Sequence, residues 1–176
     1  PQISANGVMN VSAFSNRYIQ HYPLALQQQV EQLWNQQQLN AYLQARYQTP
    51  HNYTNDKALY HYIQHLKNTH LKSAPPIAKA LYDSKLDVIH HALGLHTSYA
   101  RVQGNKLKVK KEIRISHLFK QADSAFLNMI VVHELAHLRE SAHNKSFYQL
   151  CEFMMPNYHQ VEFDFRVYLT AQLQHT

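Results

Sequence analysis

Residues 131–147 read VVHELAHLRESAHNKSF, and the reading of this stretch decides both the fold and the chemistry. With Met129 and Ile130 before it, the segment through Leu138 is apolar nearly all round, interrupted by His133, Glu134 and His137. A helix of that composition demands burial, and burying two imidazoles and a carboxylate without partners is costly. His133 and His137 stand one turn apart on one helix face, their side chains starting roughly 6 Å apart. That separation lets two neutral imidazoles converge on one ion at zinc–nitrogen distances of about 2.0–2.1 Å. Glu134 points off the ligand line, poorly placed to bind the ion and well placed to take a proton from a water beside it.

A catalytic zinc needs a third protein ligand and an open fourth position. His143 is the candidate. The stretch from Arg139 to Ala142 lets the helix end near Arg139 or Glu140 and the chain turn back, with Asn144 or Ser146 capping the next helix. A helix running straight through would carry His143 too far along the axis. The competing reading is a hydrogen-bonded polar network at a helix crossing, and it carries some weight in a chain with 14 histidines. A structural zinc site is the weaker competitor, because such sites are usually cysteine-rich. The catalytic reading is preferred: zinc lowers the pKa of water and polarises a carbonyl, while Glu134 moves the proton to the leaving group. An oxyanion donor is also required, and Tyr148, Tyr158, His159, Arg101 and His117 are the candidates. Phe147 and Tyr148 read equally well as core.

The remaining histidines read differently. His90 and His91 lie in an apolar segment and are packed or solvent-facing residues. His61 and His65 share the four-residue spacing but lack the glutamate and the apolar setting, so they belong to the surface. The lone cysteine, Cys151, reads as core, as do Met154 and Met155 before Pro156.

The composition sets bounds. With 176 residues and 45% hydrophobic content, the chain can bury one ordinary core. A single cysteine excludes an internal disulfide framework and fits a cytoplasmic setting. No apolar run is long enough to span a bilayer, and PQISANGVMN lacks the pattern of a signal peptide. The formal net charge is +6, and the 101–114 stretch concentrates basic residues against Glu112 alone. It is a candidate nucleic-acid surface. It lacks interleaved aromatics, so a solvated strand face is the preferred reading.

The first third of the sequence predicts helices: a short one over Phe14 to Tyr22, stopped by Pro23, and a long one over Leu24 to Tyr47 with Val30, Trp34, Leu39 and Leu43 as its apolar stripe. Trp34 anchors that helix. Asn55 or Thr54 caps a third, reaching about Leu71. Pro76 opens a fourth, reaching Leu93, with Gly94 as its stop. The texture then changes, and SYARVQG, KLKVK and EIRIS predict two or three strands between Ser98 and Ser116. Asp123 or Ser124 caps the His133 helix; two more helices cover about Lys145 to Met155 and His159 to Leu173. The fold class is α+β. The expected organisation is a helical region over 1–95, packed on a catalytic part over 96–176 in one compact unit.

His133, Glu134 and His137, followed by His143, Phe147 and Tyr148, resemble the YgjP-like zinc metallopeptidase family, itself related to the WLM and SprT-like zincins. The resemblance covers roughly Ser98 to Tyr168. It implies a minimal zincin, with a small sheet beside the H-E-x-x-H helix and an edge strand, here EIRIS, that pairs with an extended peptide. It implies Zn(2+) held by His133, His137 and His143, Glu134 as general base, and a peptide or protein substrate. The WLM and SprT-like relatives act on proteins crosslinked to DNA, which the basic stretch would suit. Ser141 and Ala142 replace the Pro-Asn common before the third histidine, and RVQGNKLKV stands where many members carry Trp-Gly-Ser-Cys. These departures mark a divergent branch with its own substrate recognition. The leading expectation is therefore a zinc-dependent metallopeptidase. The alternatives are a metal-dependent hydrolase of a nucleotide or nucleic-acid-associated substrate, where the same water attacks phosphorus, and a non-catalytic metal-binding module. The sequence carries no signature of a particular oligomeric state.

Overall fold

The computed structural model describes residues 13–86 and 111–175. The expected strands SYARVQG and KLKVK, His90, His91 and Arg101, and most of the basic stretch lie outside the described residues. The architecture is α+β. The chain divides into two compact units, Pro1–Arg46 with Asp164–Thr176, and Tyr47–Phe163. No helix among the described residues is long and apolar enough to cross a membrane.

In the first unit, helix α1 spans Leu24–Asn35 and α2 spans Leu39–Gln44. One long helix was expected here, and Phe14 to Tyr22 forms turns rather than a helix. The break between α1 and α2 is a left-handed C-terminal cap. Gln37 takes a φ of 55°, its N–H bonds the Trp34 carbonyl, and the Gln38 N–H bonds the Leu33 carbonyl. That pairing satisfies the last carbonyls of α1. A glutamine at the left-handed position costs about 1–2 kcal/mol, and without a glycine there the sequence does not announce the stop. Trp34 is buried, with Phe14 edge-on at 5.7 Å. Tyr42 donates to Asp164 Oδ1 at 2.7 Å.

In the second unit, α3 spans Asp56–His70, and Asn55 caps it by accepting from the Ala58 N–H at 2.8 Å. Strand β1, Ile77–Asp83, and strand β2, Lys111–Ser116, pair in parallel, with Ala80 opposite Ile113 and Tyr82 opposite Ile115. The EIRIS strand is as expected, and one of its edges is taken by β1. The helix expected from Pro76 is not formed over Ile77–Asp83. An irregularity in the ladder between Ile77 and Lys79 inserts an extra residue and shifts the alternation, so that Ile77 and Ala80, three apart, are both buried. A bulged strand therefore imitates helical periodicity.

Helix α4 spans Ser124–Ala136. Asp123 holds its start twice over: Oδ1 accepts from the Ala125 N–H at 2.7 Å and Oδ2 from the Thr49 N–H at 2.7 Å. Phe126, Leu127, Met129, Ile130, Val131, Val132, Leu135 and Ala136 are all buried, as expected of a helix apolar all round. The chain turns after His137, Asn144 caps α5 over Lys145–Met154 by accepting from the Phe147 N–H at 2.9 Å, and α6 spans Tyr158–Gln172.

Candidate metal centre

The turn between α4 and α5 brings three imidazoles together. His133 and His137 come from the last turn of α4 and its cap, and His143 from the residue before the α5 cap. Their Nε2 atoms form a nearly equilateral triangle: 3.2 Å from His133 to His137, 3.0 Å from His137 to His143 and 3.2 Å from His143 to His133. A tetrahedral ion with metal–nitrogen bonds of about 2.0–2.1 Å spaces its nitrogens about 3.3 Å apart, so the triangle fits a divalent cation. His133 and His137 are buried and His143 is half-buried.

Hydrogen bonds on the far sides of the rings support the same reading. His137 Nδ1 lies 2.9 Å from the Glu140 carbonyl oxygen. A carbonyl only accepts, so Nδ1 carries the proton and Nε2 offers its lone pair to the cluster. His133 Nδ1 lies 2.8 Å from the Tyr158 hydroxyl. Phe147, fully buried, sits under all three rings, with centroids 4.9 Å from His133, 4.6 Å from His137 and 4.9 Å from His143.

Glu134 is not part of the cluster, whose three groups are all histidines. Burial pushes its carboxyl up to about 8. The residue as a whole is half-buried, its carboxyl the more deeply set part.

The oxyanion candidates separate clearly. Tyr158 is fully buried and faces His133 from behind, so it is not available to a substrate. Tyr148 is half-buried, its ring 6.5 Å from His143 and 5.4 Å from His159. The exposed His159 has its Nε2 3.2 Å from Glu152 Oε1. His117 is exposed at the start of a short 3-10 turn, outside the cluster. His61 and His65 are exposed on α3, while Cys151, Met154 and Met155 are buried, all as expected. Arg114 bonds Asp83 at 2.7 Å and Glu112 at 3.4 Å. Its charge is thus largely spent within the sheet. Sequence reasoning did not find the partners of His133 and His137. A backbone carbonyl leaves no trace in residue type, and Tyr158, one of the oxyanion candidates, lies behind His133 instead.

Comparison with known proteins adds substance to this geometry. A family model described as YgjP-like, metallopeptidase domain, matches residues 18–166. A protein named UTP pyrophosphatase, from Escherichia coli (strain K12), is 56% identical over 153 residues, covering 87% of this chain and 92% of that one. No solved structure matches the chain. The expectation of a metallopeptidase is overturned by that relative, and the protease and zincin labels go with it. The physical reason lies in the motif itself. His133, His137 and His143 report how an ion is held, and nothing in their spacing selects a carbonyl carbon over a phosphorus atom.

Proposed function

The chain belongs to the YgjP-like family and is a metal-dependent hydrolase, and on that premise we propose that it hydrolyses a phosphoanhydride bond of a nucleoside triphosphate of the UTP type. The observation that carries the reading is the 56% identity to a UTP pyrophosphatase along nearly the whole of that relative, joined to a three-imidazole cluster in this chain. The net charge of +6 suits a polyanionic substrate.

His133, His137 and His143 are assigned as ligands to Zn(2+). An all-imidazole set suits zinc, and also iron, copper or nickel; three protein ligands with one position left open is the pattern of catalytic zinc. An ion held there would supply Lewis-acid polarisation of a phosphoryl oxygen and a lowered pKa for water. The rings of His133 and His137 are held by the acceptors behind them, so the two lone pairs keep their direction. Glu134 is assigned as the base. Its carboxylate stands beside the ligand line, where it can take the proton of the attacking water. The water oxygen bonds to phosphorus, an anhydride P–O bond breaks, the phosphate or diphosphate group departs with the bonding pair, and the proton passes through Glu134 to solvent. Such a substrate places the protein in the cytoplasm, which fits its one buried, unbridged cysteine.

The test is phosphorus NMR of UTP incubated with zinc-loaded protein, beside a protein substrate such as casein. Loss of the triphosphate signals with inorganic pyrophosphate or phosphate appearing, and a much slower reaction in Glu134→Gln that still binds zinc, is the expected result. An unchanged UTP spectrum across a panel of divalent metals would refute the assignment. A non-catalytic module would show that same silence in every variant.

A further inference from the structure

His133 has a built environment behind it as well as in front. Three buried polar side chains meet at the Tyr158 hydroxyl. His133 Nδ1 lies 2.8 Å away, Glu162 stands one turn further along α6 within reach of the hydroxyl, and Cys151 reaches it from α5. Tyr158 and Cys151 are fully buried and Glu162 is 5% exposed, so water does not arbitrate among them.

Taking Glu162 as a carboxylate gives each of these protons a place. A phenol has one proton to donate and two lone pairs to accept with. Glu162, as a carboxylate, only accepts, and it takes the phenol proton. The two lone pairs are left for the His133 Nδ1–H and the Cys151 S–H. His133 therefore carries its proton on Nδ1, and its Nε2 lone pair faces the nitrogens of His137 and His143, each 3.2 Å away. Without the carboxylate, the phenol proton is free to turn to Nδ1. The imidazole proton would then move to Nε2 and point into the triangle, where it blocks coordination. We infer that Glu162, acting through the Tyr158 hydroxyl, is a positioning residue that fixes His133 in its metal-binding tautomer. His137 obtains the same result from the Glu140 carbonyl, so each buried ligand has its own acceptor behind it. Outer partners of this kind set ligand orientation and basicity.

This inference rests on His133, His137 and His143 holding an ion, and the experiment separates the two. Apparent zinc dissociation constants are measured by competition with a chromophoric chelator for the parent protein, Tyr158→Phe, Glu162→Gln and Cys151→Ala. Cobalt(II) absorption bands report ligand geometry, and circular dichroism confirms the fold without metal. Tyr158→Phe should bind zinc about 10–100-fold more weakly, the range for loss of such a partner, with altered cobalt bands. Glu162→Gln should weaken binding in the same direction, and Cys151→Ala, which touches the same hydroxyl but not His133, should stay within about threefold of the parent. Should Tyr158→Phe not fold, Glu162→Gln against Cys151→Ala decides. Parent-like affinity in both Tyr158→Phe and Glu162→Gln overturns the positioning role and leaves the metal site standing. Equal weakening in Cys151→Ala overturns it too, since general loosening then explains the loss. A parent protein that binds no metal overturns the site assignment itself.

Discussion

Removing His143 tests the metal centre through stability, with no need of a substrate. Its ring is half-buried and lies in the turn between α4 and α5, so His143→Ala should cost the fold little. Its effect on the ion should be large. A four-ligand zinc site is worth about 10–16 kcal/mol, or about 2.5–4 kcal/mol for each ligand, which is about a 10²–10³-fold change in affinity. Zinc at 100 times the parent's dissociation constant stabilises the folded state by about 2.7 kcal/mol. For a domain of this length each kcal/mol moves the midpoint by about 2–4 °C, so zinc should raise it by about 5–11 °C over protein held in chelator. In His143→Ala, the same zinc concentration falls to about the dissociation constant or below, leaving at most about 0.4 kcal/mol. The shift should then collapse to about 1–2 °C. Zinc also binds unfolded chains rich in histidine, which makes the parent shift an upper value. The assay is differential scanning calorimetry of both proteins in chelator and in buffered zinc. A variant that keeps the full zinc shift refutes the reasoning, because the ion is then held by something other than the three-imidazole triangle.

Further outcomes follow from the supports around the site. Phe147→Ala removes a fully buried ring from beneath all three imidazoles; urea unfolding should show a loss of about 3–5 kcal/mol, and chelator competition a weaker zinc site. Asn144→Ala deletes the cap of α5 and should cost about 1 kcal/mol, seen as a lower thermal midpoint with an unchanged far-ultraviolet spectrum. Arg114→Met leaves Asp83 without the guanidinium that, chiefly through its hydrogen bond, holds this carboxyl below its ordinary range. A depressed carboxyl stabilises the fold above its unfolded value and loses that contribution as pH falls through the folded value. The gap in stability between parent and Arg114→Met should therefore be full at pH 7 and shrink below about pH 4. Urea melts from pH 3 to 7 check this, and a gap that is constant with pH refutes it.

The clustering of the three histidines was legible because its information is local. His133 and His137 are fixed by helical spacing, and His143 by a turn only six residues further on. The caps at Asn55, Asp123 and Asn144 were legible for the same reason: each acts on a backbone N–H two or three residues away. Misreadings occurred where a non-local partner or an unusual backbone decided the outcome. Ile77–Asp83 pairs with residues more than thirty positions along the chain, and its ladder irregularity gave it a helix-like spacing. Gln37 ends α1 in a conformation that its residue type does not advertise. Tyr158 was visible as an interesting residue, but its direction depends on how α5 and α6 pack, which no pattern within either helix reveals.

The substrate was misread at a different link of the argument, between site and reaction. A water activated beside His133, His137 and His143 has no preference encoded in the ligands for carbon or phosphorus. A peptide bond and a phosphoanhydride both present an electrophile with an oxygen for the ion to polarise and a leaving group that departs with an electron pair. What separates them is charge. A nucleoside triphosphate brings several negative charges that a peptide lacks, and a site that accepts it must offset them near the reacting atoms. The ligand cluster contributes three neutral imidazoles and no carboxylate. Three imidazoles hold an ion equally well for either electrophile, so the groups that offset the phosphate charge, and not the ligands, carry the choice.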